Sequence, residues 1–134
     1  MKNVIVDTDI ISYFFRSEKK VVEKINNHIL NGGSIYLSAV TFYELKNGLI
    51  YKDSKNMLDK LQTFVEVHNV LPLTHKGADI SARIYSDLRK SGVTIGHTDI
   101  LIAGTAIEND LILITNNTKH FSPISELEID NWAV

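Results

Sequence analysis

The run VIVDTDII, residues 4–11, sets Val4, Ile5 and Val6 ahead of two carboxylates, Asp7 and Asp9, and then resumes as Ile10 and Ile11. Apolar residues in unbroken succession mark a strand buried on both faces, as at the centre of a parallel sheet, whereas a half-exposed strand would alternate. LILIT, residues 111–115, has the same character and closes on Thr115, Asn116 and Asn117. The segments between these runs read as helices alternating with shorter strands. From Asp9 to Arg16 the pattern turns helical, and EKKVVEKINNHILNGG carries Val21, Val22, Ile25 and Ile29 at helical spacing before stopping at Gly32 and Gly33. SIYLS is a second strand, whose Ser38 can cap a helix running through Thr41, Glu44 and Leu45 toward Tyr51. SKNMLDKLQTFVEVH is amphipathic, and NVLPL is a third strand that Pro72 assigns to an edge or a strand end. KGADISARIYSDLRKSG reads as a helix closed by Gly92, TDILIAGTAIEND as a helix capped by Thr98, and LEIDNW as a weak last strand. Strands alternating with helices predict a three-layer α/β/α sandwich around a mainly parallel sheet of four to five strands, joined by right-handed crossovers.

Length and composition limit what this fold can carry. A chain of 134 residues, 44% of them hydrophobic, suits one domain with a substantial core and leaves no room for a second. The formal net charge of -2 displays no broad basic face, so a nucleic-acid substrate would have to be held by local geometry or an assembled groove. The absence of cysteine excludes disulfides, thiolate metal sites and cysteine nucleophiles. The apolar run in MKNVIVD is too brief for a signal peptide and no other run approaches membrane-spanning length, so a soluble, cytoplasmic protein is expected.

The fold gives the acids an address. Open parallel sheets bind ligands outside the carboxyl ends of their strands. Asp7 stands at such an end, and Thr115, Asn116 and Asn117 at another; Glu44, on the helix after the second strand, and Asp99, in the first turn of its own helix, can reach the same rim. Carboxylates gathered in one cleft repel one another unless a cation neutralises them. Hard oxygen donors favour Mg²⁺, with Mn²⁺ as a substitute. Taken singly, each residue has a plainer role. Asp9, ahead of IISYFF, is read as a helix cap, while Asp7, flush with a buried run, is read as functional. Glu44 alone would be a solvated helix face, and Asp99 alone a first-turn acid favoured by the helix dipole. The five histidines form no metal-ligand spacing, and His97 before a helix is read as structural or exposed. Arg16, Lys19, Lys20 and Lys24 form a solvated face that can also meet a phosphate backbone.

With the segments in this order, VDTDIISYF, SAVTFYEL, TDILIAGTAIENDLILITNN and HFSPISELEIDNW resemble the PIN-domain ribonucleases, in particular the VapC toxins of VapBC toxin–antitoxin pairs. The resemblance runs from Val4 to Trp132; each motif is short, and four in register are specific. It implies a single PIN domain over residues 1–134, with Asp7, Glu44 and Asp99 as the metal-binding, catalytic acids. Thr8 and Thr115 match hydroxyl positions that orient ligands or water, and Asp9, often Asn in the family, stays near the site as a supporting or capping residue. Asn117 occupies the position of a fourth acid in many relatives, which favours one firmly held ion. His120 also stands where related chains often have an acid. The implied activity is Mg²⁺-dependent cleavage of a structured RNA, a transfer RNA or a ribosomal RNA loop, to inhibit translation. The implied partners are a second copy of the chain and a VapB-type antitoxin, with the aromatics Tyr13, Phe14 and Phe15 as candidates for its docking surface or for the core.

Two other readings compete. D-T-D-I-I after a strand also resembles the haloacid dehalogenase phosphatases, with Asp7 as nucleophile and Asp9 as acid, although Asp99 opens a helix where that superfamily needs acids at strand ends. A PIN-type binding module without catalysis is the second; the set Asp7, Glu44 and Asp99 weighs against it and Asn117 weighs for it.

Overall fold

The structure, a computed structural model, describes residues 3–134. Its first apolar run is the wholly buried strand β1 (Val4–Val6), from which the chain turns at Asp7 into α1 (Thr8–Phe15) and then α2 (Lys19–Leu30). There follow β2 (Ile35–Ser38), α3 (Ala39–Tyr51), α4 (Lys55–Val67), β3 (Asn69–Leu71), α5 (His75–Lys90) and α6 (His97–Glu108). The chain closes with β4 (Ile112–Ile114), a short helix α7 (Thr118–Phe121) and β5 (Ile129–Asp130).

The five strands make one sheet in the order β3-β2-β1-β4-β5, and each neighbouring pair is parallel. The chain builds outward from β1 to β3, then crosses back to β4 on the other side of β1. Strand order therefore reverses between β1 and β4, and the crevice at their carboxyl ends is the switch point where such sheets take ligands. Val6 pairs with Ile114, so the chain leaves both strands side by side; Asp7 N donates to Ile114 O at 2.9 Å.

Alternation along β1 feeds two cores. Val4 and Val6 face a cluster with Ile10, Ile11, Ile25 and Phe64, packed under α1 to α4, whereas Ile5 faces Ile102, Ala103, Leu113 and Phe121 under α5 to α7. Layers of helix on both faces explain why β1 and β4 read as continuous apolar runs rather than alternating ones.

Most expected boundaries hold. Ser38 caps α3 by accepting from Thr41 N at 2.9 Å, Gly32 and Gly92 take positive φ of 84° and 80° after their helices, and β3 lies at the sheet edge and ends just before Pro72. Two caps differ. Asp7, not Asp9, is the N-cap of α1, because the chain is already helical at Thr8, and Asp9 lies in the first turn. Gly96, not Thr98, precedes α6, which begins a residue before Thr98. The short α7 was not expected from the sequence, four residues being too few to display a period.

The α5–α6 pair sets the position of Asp99. Ser81 Oγ lies 2.9 Å from both Gly77 O and Ile100 O, bridging the two helices. A Cβ on Gly104 would run into Ser81 and come within 2.6 Å of Gly77 O, so glycine there permits the close approach.

Candidate active site

Asp7 is held from both sides of the crevice. It is 6% exposed; its Oδ1 accepts from Thr8 N at 2.8 Å and its Oδ2 from Thr115 Oγ1 at 2.8 Å. Thr115 Oγ1 in turn accepts from Asn117 N at 3.0 Å, which ties the loop after β4 to the same carboxylate. Thr8 Oγ1 donates to Glu44 Oε1 at 2.9 Å, so the half-buried Glu44 of α3 joins the rim through a hydroxyl rather than by touching Asp7. Asp99, in the first turn of α6, lies with its Oδ2 3.7 Å from His120 Nδ1, and Asn117 Nδ2 sits 2.9 Å from the same nitrogen. One hydrogen-bonded and electrostatic network thus contains Asp7, Thr8, Glu44, Asp99, Thr115 and Asn117. His97, stacked on Tyr85 with ring centroids 4.9 Å apart, takes no part in the hydrogen bonds of this network.

Asp9 belongs to the site in a way its spacing did not reveal. Its Oδ1 accepts from Ile10 N at 2.7 Å, while its Oδ2 reaches across to accept from Asn116 N at 3.0 Å. Asn116 also donates from Nδ2 to Tyr13 Oη at 3.2 Å and accepts on Oδ1 from Asn131 Nδ2 at 3.0 Å. Asp9 therefore locks the β4 loop against α1. Nothing in a local pattern signals a contact spanning 107 residues. Among the aromatics that follow, Phe15 is buried in the core, while Phe14 lines a groove of about 520 Å³ with Phe15, Lys60, Phe64 and Val67.

Burial and mutual repulsion drive two acids of the crevice toward their neutral forms. Asp7 is pushed up from 3.8 to about 7, first by burial and then by the charge of Asp9, with Asp99 adding to it; the hydrogen bonds from Thr115 and Thr8 pull the other way and lose. Asp9 is raised as well, chiefly by burial, with a contribution from Asp99, against the backbone N–H groups of Asn116 and Ile10. Among the described residues, no three histidine or acid side chains are already gathered as a metal cage. The side chains at this rim offer oxygen donors, carboxylates and hydroxyls, and no sulfur.

An α/β sheet with acids gathered at its switch point defines a class, and comparison with known proteins names it: the chain belongs to the PIN domain family, whose model matches residues 4–127. Its relatives are VapC ribonucleases. It is 35% identical over 130 residues to ribonuclease VapC1 of Rickettsia felis, covering 94% of this chain and 93% of that one. It is 29% identical to the tRNA(fMet)-specific endonuclease VapC of Shigella flexneri, covering 99% of this chain and all (100%) of that one. Among solved structures, VapBC2 of Rickettsia felis bound to a DNA fragment from its promoter superposes with a TM-score of 0.87 at 26% identity, over 96% of this chain and 98% of that one. VapBC-1 of nontypeable Haemophilus influenzae superposes with a TM-score of 0.84 at 27% identity, over 98% of each chain. The phosphatase reading of Asp7 and Asp9 is accordingly set aside.

Proposed function

We propose that the protein is a Mg²⁺-dependent endoribonuclease toxin that cuts a structured RNA, a transfer RNA or a ribosomal RNA loop, and so inhibits translation. The gathering of Asp7, Asp9 and Asp99 about one crevice, with Glu44 tied in through Thr8, carries this conclusion. Asp7 and Asp99, with Glu44 directly or through water, would hold the ion; when bound, it polarises the phosphodiester and lowers the pKa of a water for in-line attack. Thr115 and the Thr8 backbone fix both oxygens of Asp7, so the carboxylate meets the ion without reorganising. Thr8 holds Glu44 in place, and Asp9 ties the Asn116–Asn117 loop to α1. Water as nucleophile leaves the RNA 2′-hydroxyl unused and gives a 5′-phosphate and a 3′-hydroxyl. Selectivity then comes from RNA shape and unstacked bases.

The similarity to VapBC complexes supports a VapB-type antitoxin as partner. An acid rim that accepts a cation also accepts a guanidinium, so an antitoxin arginine placed there would silence the enzyme. The apolar groove beside Phe14 and Phe64 is the surface we assign to the antitoxin's apolar side chains. A homodimer would pair two crevices into one RNA groove. Among the described residues, no helix is long and apolar enough to cross a membrane.

The test is cleavage of total cellular RNA by purified protein with Mg²⁺, comparing the parent with Asp7→Asn and mapping the new ends. Discrete cuts bearing 5′-phosphates, lost in EDTA and reduced at least about a hundredfold in Asp7→Asn, are expected. Absence of cleavage by antitoxin-free protein with either Mg²⁺ or Mn²⁺ would replace the enzyme by a binding module.

A further inference from the structure

The chain holds three arginines, Arg16, Arg83 and Arg89, and the fold treats them in two ways. Arg83 is neutralised by Asp79 of the same helix, Nε to Oδ2 at 3.0 Å. Arg16 and Arg89, both exposed, meet no acid among the described residues and lie instead on tyrosine rings. The Arg16 guanidinium carbon stands 5.4 Å from the Tyr13 ring centroid, and its Nε donates to Ser12 O at 3.4 Å. The Arg89 guanidinium carbon stands 5.6 Å from the Tyr85 centroid. Contact with a ring holds a guanidinium in place while its terminal N–H groups stay available to an acceptor. Each tyrosine is half-buried and tied to one flank of the acid crevice. Tyr13 Oη accepts from Asn116 Nδ2 at 3.2 Å, and Asn116 N in turn donates to Asp9. Tyr85 stacks on His97, two residues before Asp99. Tyr13 packs against one core cluster and Tyr85 against the other, so the two arginines stand on opposite sides of the sheet, one beside the α1 flank of the crevice and one beside the α6 flank.

We propose that Arg16 on Tyr13 and Arg89 on Tyr85 are two phosphate contacts that hold an RNA strand across the crevice. The inference rests on the reading of the crevice as an RNA site. A polyanion approaching a rim of carboxylates is repelled, and a net charge of -2 offers no broad basic face to offset this. Attraction has to come from a few cations placed beside the rim, and these two carry charge that no acid of the chain has taken up. A guanidinium presents a planar fork that can take two phosphate oxygens together, and the ring beneath it limits where that fork can lie before the RNA arrives. Contacts of this kind fix the position of the strand and leave the choice of sequence to groups that touch the bases. Arg83, already paired, has no such part.

The test is retention of labelled bulk transfer RNA by the full chain in EDTA, which keeps the RNA intact, titrated at salt concentrations from about 50 to 200 mM. Arg16→Ala and Arg89→Ala are each expected to weaken binding about tenfold and to reduce the slope of log affinity against log salt by about 0.7. Arg16→Lys and Arg89→Lys should keep the slope and lose part of the affinity, because an ammonium retains the charge without the fork. Arg83→Ala removes the same formal charge and should change the affinity by less than about twofold. Equal weakening by all three alanine variants would overturn the proposal in favour of diffuse charge, and an unchanged slope in Arg16→Ala or Arg89→Ala would overturn the two-sided hold. A parent that retains no transfer RNA at the lowest salt would overturn it outright. Cleavage with Mg²⁺ is scored separately: RNA held through both arginines but never cut would leave the contacts standing and overturn the nuclease reading instead.

Discussion

Asp7 performs two tasks with opposed electrical demands. As the N-cap of α1 it accepts from Thr8 N, an arrangement that favours the charged carboxylate. As a buried acid beside Asp9 and Asp99 it is driven toward the neutral form, to about 7 from 3.8, and burial is the largest cause. In metal-free protein the folded chain thus keeps a proton that the unfolded chain has released. Its contribution to stability is full below about pH 4, declines as pH rises, and is lost above about pH 7. A shift of this size corresponds to on the order of 4 kcal/mol over the whole window. Asp9, also raised, acts in the same direction. In EDTA, the melting temperature should therefore fall between about pH 5 and pH 7.5, and Asp7→Asn should flatten that fall and be the more stable protein at the upper end. A slope identical in the two proteins, measured by calorimetry across that range, would assign the effect to other groups.

At the scale of elements, the α5–α6 pair decides where Asp99 can be. Gly104 lets α6 lie against Ser81 and the Gly77 carbonyl, and the Ser81 hydroxyl stitches Ile100 O, one residue past Asp99, to α5. Gly104→Ala should destabilise the fold by about 1–3 kcal/mol, since both obstacles are buried and one is backbone. Chemical denaturation measures it; an unchanged midpoint would show that the helices separate without penalty. Sequence made such elements legible but not their junctions. Apolar runs and helical spacing marked out β1, β4 and the longer helices, because burial on both sheet faces leaves a pattern that one segment carries by itself. Asp9, directly ahead of IISYFF, reads as the cap of α1, whereas the cap is Asp7; only pairing with β4 fixes where β1 ends. In the site, Asp7 at a strand end and Asp99 in a first helical turn are legible by residue type, whereas Glu44, inside α3, joins them only through the order of the family motifs. The Thr8–Glu44 bond, the Asp9–Asn116 clamp and the approach of His120 to Asp99 are not legible, because each joins elements whose separation only the packed sheet determines.

For the whole molecule, the switch point couples the two halves of the core. The cluster under α1 to α4 and the cluster under α5 to α7 lie on opposite faces of the sheet, and the rim collects residues from both: Asp7, Thr8 and Glu44 from one side, Asp99 and His120 from the other. A cation at the rim would remove the repulsion between Asp7, Asp9 and Asp99 while drawing together elements that the chain visits far apart. It would bind the folded state only, because the unfolded chain gathers no such set of acids, and so it must stabilise by mass action. At a hundredfold excess over its dissociation constant the gain is about 2.7 kcal/mol, which for a domain of this size raises the melting temperature by roughly 10 °C. The effect should be largest above about pH 7, where Asp7 is already ionised, and should shrink in acid as the ion competes with a proton. Scanning calorimetry at pH 7.5 with Mg²⁺ or Mn²⁺, reversed by EDTA and repeated on Asp7→Asn, tests this. The parent should rise and the variant should not, since removing Asp7 relieves the repulsion and deletes the ligand in one step. An equal rise in both would mean that the ion stabilises the chain from elsewhere, and that the acids at the switch point are held together by their hydrogen bonds alone.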